Sequence, residues 1–79
     1  MKGNNKMEQL KVKFPAYTPD YVIDEVEYYY EKISNGKSDV FTLDNAIMLV
    51  NLAIVSSRIS NEQGKVIKKI IKNIKDNNK

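Results

Sequence analysis

Thr42-Leu43-Asp44-Asn45-Ala46-Ile47-Met48-Leu49-Val50-Asn51-Leu52-Ala53-Ile54-Val55-Ser56-Ser57-Arg58-Ile59 decides how this chain folds. The apolar residues Leu43, Ile47, Met48, Leu49, Val50, Leu52, Ala53, Ile54, Val55 and Ile59 go nearly all the way round a helix axis. Asp44, Asn51 and Arg58, spaced by seven, keep a narrow polar line. Thr42 is a suitable cap, so the spacing predicts a helix from Leu43 to about Ile59. A helix this apolar is contacted on more than one side. It is therefore expected to form the core, with Leu49, Leu52 and Val55 largely buried.

The segments on either side are amphipathic. Before the central helix, Thr18 fits an N-cap, Pro19 the first helical position and Asp20 the positive end of the dipole. Val22, Val26, Tyr29 and Ile33 recur at i, i+4, i+7 and i+11, widened by Ile23 and Tyr30. The opposite face carries Asp20, Asp24, Glu27 and Glu31, and Gly36 after Asn35 is the expected left-handed stop. A helix over about 19–34 follows. After the central helix, Ser60-Asn61-Glu62-Gln63 matches a capping box and opens a third helix. That helix sets Val66, Ile67, Ile70, Ile71 and Ile74 on one face and Lys65, Lys68, Lys69, Lys72 and Lys75 on the other. At the front of the chain, Leu10-Lys11-Val12-Lys13-Phe14 alternates with period two and reads as an extended strap, since no second strand is evident. The expected fold is all-α: a small antiparallel three-helix bundle with a short extended N-terminal strap. Residues 10–76 form its single domain, after a disordered basic tail at 1–9 and before a frayed end at 77–79.

Composition narrows the chemistry. Seventy-nine residues allow one small domain, with a stability of about 4–12 kcal/mol. There is no Cys, His or Trp, which excludes disulfides, thiolate or imidazole metal sites and a histidine base, so no cofactor is expected. Lys, Asn and Ile make up 30 of 79 residues, a bias typical of AT-rich genomes, which points to a low-GC bacterium or its phage or mobile element. The most apolar segment, residues 46–55, contains Asn51 and is far shorter than the ~20 residues of a membrane span. No apolar run follows the first six residues as a signal peptide requires. A cytoplasmic protein is expected.

Charge is unevenly spread. Residues 20–31 hold five acids and no base, whereas residues 58–79 hold seven bases and two acids. Solvated helix faces account for much of this. Two functional readings remain. In the first, another protein binds the first helix through Asp20, Tyr21, Asp24, Glu27, Tyr28 and Glu31, because tyrosine joins an apolar body to a polar tip. In the second, Lys65, Lys68, Lys69, Lys72 and Lys75 follow nucleic-acid phosphates. Against the second stand a single Arg, no Asn or Gln interleaved on the lysine face to read base edges, the amides sitting instead at Gln63 and Asn73, and Gly64 where a helix-turn-helix needs an apolar residue. The third helix could also lie on an anionic membrane surface, but it has no Trp or Phe to anchor there.

Enzymatic motifs fail on context. Ser34-Asn35-Gly36-Lys37 falls at a helix end, and Gly36-Lys37-Ser38 lacks the earlier glycine and strand of a phosphate-binding loop. Paired carboxylates need a cleft to shift their pKa values, and a bundle this small offers little of one. The chain is not expected to be an enzyme.

From Val22 to Ile74 the order of elements resembles the small immunity proteins of class IIa bacteriocins, particularly the enterocin A type. A tyrosine-containing helix is followed by a linker, an apolar helix with Leu49-Val50-Asn51, and Ile59-Ser60 with Gln63 opening the last helix. The resemblance implies a basic antiparallel helical bundle that sits in the cytoplasm and protects its producer, and it transfers no site residue. The expected function is non-catalytic binding to another protein, as an immunity, inhibitor or regulator module, with nucleic-acid binding as the alternative. A homodimer is also expected, because one monomer does not readily cover a helix that is apolar all round.

Overall fold

The computed structural model describes residues 14–37 and 40–77. The expected tail at 1–9, Leu10 and Val12 of the strap, and residues 78–79 lie outside the described residues. Three helices make the fold: α1, Asp20–Ser34; α2, Val40–Val55; and α3, Asn61–Asn77. They form the expected three-helix bundle, and no strand occurs among the described residues. The central helix α2 packs on both neighbours, which touch each other less. Short connections turn the chain back on itself at each end. Among the described residues no helix is long and apolar enough to cross a membrane.

The start of α1 differs from expectation by one residue. Pro19, not Thr18, is the N-cap, with extended backbone and no side-chain capping bond. The Thr18 hydroxyl is engaged elsewhere: it donates to the Pro15 carbonyl at 2.7 Å, and the Thr18 N–H donates to the same oxygen at 3.3 Å. Thr18 thus closes a turn ahead of the helix, in which Tyr17 takes a left-handed φ of 67°. The Pro19 carbonyl accepts from the N–H groups of Val22 and Ile23 and begins the helical ladder.

Both α1 and α2 end in Schellman caps. After α1, the Gly36 N–H donates to Ile33 and the Lys37 N–H to Lys32, with Gly36 at φ 79° as anticipated. After α2, the Ser57 N–H donates to Ile54 and the Arg58 N–H to Ala53, with Ser57 at φ 61°. The second cap stops α2 at Val55, so Ile59 belongs to the turn and not to the helix; it is nevertheless buried. At its other end α2 begins at Val40, so Thr42 is not a cap but a buried residue of the first turn. It lies on the same inward face as Ala46, Val50 and Ala53.

Phe14, Val22, Val26, Tyr29, Ala46, Val50, Ala53, Ile59, Ile67, Ile71 and Ile74 make the core. Phe14 is the described part of the strap, and it is buried. Within α2 the expected core is corrected: Leu49 is half-buried, Leu52 is 51% exposed and Val55 81% exposed. The reason is a close approach of α2 and α3 at small residues. A Cβ on buried Gly64 would strike the Ile54 Cδ1 and stand 3.0 Å from its Cγ1 and 3.6 Å from the Val50 Cγ1. The small side chains of α2 face its neighbours, and the larger Leu52 and Val55 are turned outward. On α3, Val66 is likewise exposed, at the edge of the stripe formed by Ile67, Ile71 and Ile74.

Candidate functional site

At 3.6 residues per turn, Asp20, Tyr21, Asp24, Glu27, Tyr28 and Glu31 occupy an arc of about 120° on α1. The helix earns this arrangement by burying Val22, Val26 and Tyr29 on its other side. Asp20, Tyr21, Asp24, Tyr28 and Glu31 are exposed, while Glu27 is half-buried with its Oε2 shut from solvent. The face therefore consists of two phenols among three solvated carboxylates, with Glu27 at its edge. A base joins it from one turn on: the Lys32 Nζ lies 5.2 Å from the centroid of the Tyr28 ring, within cation–π range. Behind the face, burial, and to a lesser degree the negative Asp76, push the Tyr29 phenol above its ordinary pKa.

The lysines of α3 also share one arc of about 120°. Lys65, Lys69, Lys72 and Lys75 are exposed and Lys68 is half-buried. Of the two amides near these lysines, Asn73 is exposed and Gln63 is committed to the fold. Its Oε1 accepts from the Ser60 N–H at 2.8 Å and its own N–H donates to the Ser60 Oγ at 3.1 Å, the expected capping box. Its Nε2 donates to the Ala16 carbonyl at 3.0 Å.

A third surface was not singled out residue by residue from the sequence. Phe41, Met48, Leu52 and Val55 of α2 are 83%, 57%, 51% and 81% exposed. The signal was present in their spacing of seven, four and three residues, which places them on one stripe. An open hollow at the α2–α3 turn includes Ser57, Arg58, Ser60, Asn61 and Gln63 in its lining; its one charged lining residue is Arg58, so it brings no acid–base pair together. Among the described residues, no cluster of three or more carboxylates could hold a metal ion. Compared with protein-family models, curated proteins and solved structures, the chain matches none of them.

Proposed function

We propose that this protein is a non-catalytic protein-binding module of the immunity, inhibitor or regulator type, acting in the cytoplasm of a low-GC bacterium or its phage. The α1 face carries the reading: Tyr21 and Tyr28 are exposed between the solvated carboxylates of Asp20, Asp24 and Glu31. Tyrosines of this kind supply contact area at little entropic cost, and surrounding carboxylates select a basic protein surface by charge complementarity. The resemblance to bacteriocin immunity proteins implies the same class of activity.

The competing reading rests on the four exposed lysines of α3. Affinity capture from the source cells at low and high salt, with and without nuclease, separates the two. Partners that survive nuclease and are weakened by Tyr28→Ala or Asp24→Lys support protein recognition. Capture lost to nuclease, with salt-steep binding abolished by Lys68→Gln with Lys72→Gln, reverses the choice. Asp24 is the charge-reversal site because it is exposed, whereas Glu27 is half-buried and its reversal would disturb the fold.

A further inference from the structure

Asn35 is the only asparagine of the chain that a glycine follows, and both Asn35 and Gly36 are exposed. Nothing lies within 4 Å of the position a Cβ would take on Gly36, so the space beside this backbone is open. Such a pair carries its own chemistry. Once the Gly36 N–H has lost its proton to base, its nitrogen can attack the Asn35 side-chain carbonyl carbon. The new C–N bond closes a cyclic imide, and the side-chain nitrogen leaves as ammonia with a proton from water. Water then breaks one imide C–N bond. Opening on the side-chain side gives aspartate in an ordinary peptide, and opening on the backbone side gives isoaspartate, whose main chain runs through Cβ. Water is the only co-reactant, and nothing is oxidised or reduced.

The cap at the end of α1 restrains this pair. The Gly36 N–H donates to the Ile33 carbonyl at 3.0 Å, and the Lys37 N–H to the Lys32 carbonyl at 2.9 Å. Asn35 has a ψ of 9°, which turns the Gly36 nitrogen away from the Asn35 Cβ. Ring closure needs the two eclipsed about the Cα–C bond, so the bond to Ile33 must break and ψ must rotate first. Ser34, Asn35, Gly36 and Lys37 are all exposed, and unwinding this last turn therefore costs far less than unfolding the bundle. We infer that Asn35 is a site of spontaneous deamidation in the folded protein, gated by fraying of the α1 cap. The products weaken the cap that restrained the reaction. Aspartate sets a negative charge at the negative end of the helix dipole. Isoaspartate lengthens the main chain between Ser34 and Gly36, so Gly36 and Lys37 lose their register on Ile33 and Lys32. This inference does not depend on the α1 reading.

Incubation of the full chain at mildly alkaline pH, followed by peptide mass spectrometry, tests it. The expected product is a mixture of aspartate and isoaspartate at position 35. It should form more than about tenfold more slowly in the folded chain than in the same chain unfolded by guanidinium chloride. Below the unfolding transition the rate should change little with denaturant, since fraying of one helix end exposes little surface. Equal rates in the folded and unfolded chain overturn the gating. Conversion that rises only in step with unfolding of the whole bundle overturns modification of the folded protein. Asn35→Asp copies the aspartate product and should raise the unfolding equilibrium constant about two- to fivefold through the helix dipole. An Asn35→Asp chain as stable as the parent overturns the weakening of the cap.

Discussion

The Gln63 side chain donates from Nε2 to the Ala16 carbonyl at 3.0 Å, joining residues 47 positions apart. The same amide accepts the Ser60 N–H through Oε1. One side chain thus caps α3 and ties the segment ahead of α1 to it. Glutamate can perform the first task but not the second, which gives a physical reason for Gln in the last position of this capping box.

Gln63→Glu should accordingly keep α3 capped while losing the bond to Ala16. A carboxylate facing a carbonyl oxygen has no proton to share, so a loss of about 1 kcal/mol is expected. Hydrogen exchange checks where the loss falls. Protection should drop at Thr18, whose N–H donates within the Pro15 turn, and persist at Gly64, whose N–H donates to Ser60 in the first turn of α3.

Gly64→Ala should destabilise the protein although alanine favours a helix by about 1 kcal/mol. The new methyl would meet Ile54, and with the Val50 Cγ1 close by, overpacking should outweigh the propensity gain for a net loss of about 1 kcal/mol. Ile54→Val removes the Cδ1 that stands nearest. In denaturant melts, the double variant should therefore be more stable than the sum of the two single changes allows.

Ser57→Gly should raise stability by about 0.5–1 kcal/mol, because residue 57 sits at φ 61° where a side chain is disfavoured. Gly36→Ala should lower it by a similar amount for the converse reason, even though nothing lies within 4 Å of the added Cβ. Opposite shifts in the thermal midpoint would check both.

These positions show what was legible in the sequence. Gly36 announced its cap because glycine is the usual residue there, whereas Ser57 makes the same two hydrogen bonds with no compositional mark. The capping box at Ser60 and Gln63 was readable since its partners are three residues apart. The faces of α1 and α3 were readable because each has one apolar side and one charged side. The orientation of α2 was not. A helix apolar all round has no phase, so its pattern could not say that Ala46, Val50 and Ala53 face inward and Leu52 outward. The deciding feature, Gly64 opposite Ile54, belongs to a different helix. The α1 candidate residues were grouped correctly on one face, but the partial burial of Glu27 depends on neighbours that local spacing does not reveal.

Tyr29 makes the fold sensitive to alkali. Its phenol is pushed up by burial first and by Asp76 second. The unfolded chain therefore releases this proton before the folded one does. The stability contribution is complete below a pH of about 10 and is lost as pH rises through the higher folded-state value. Tyr29→Phe should flatten the alkaline limb of a stability–pH curve. Asp76→Asn should do so more weakly, since the charge is the lesser cause. An unchanged limb in Tyr29→Phe would show that another group controls it.

Replacing a buried and a half-exposed residue separates the folding core from the surface of the bundle. Ile67 is fully buried, so Ile67→Ala should cost about 2–5 kcal/mol through lost burial and the cavity left behind. On a chain of this length that approaches global unfolding. Leu52 is half-exposed and turned away from both neighbouring helices, so Leu52→Ala should cost the isolated monomer less than about 1 kcal/mol. Urea denaturation gives these two values. A large Leu52 deficit would place that side chain in the folding core after all.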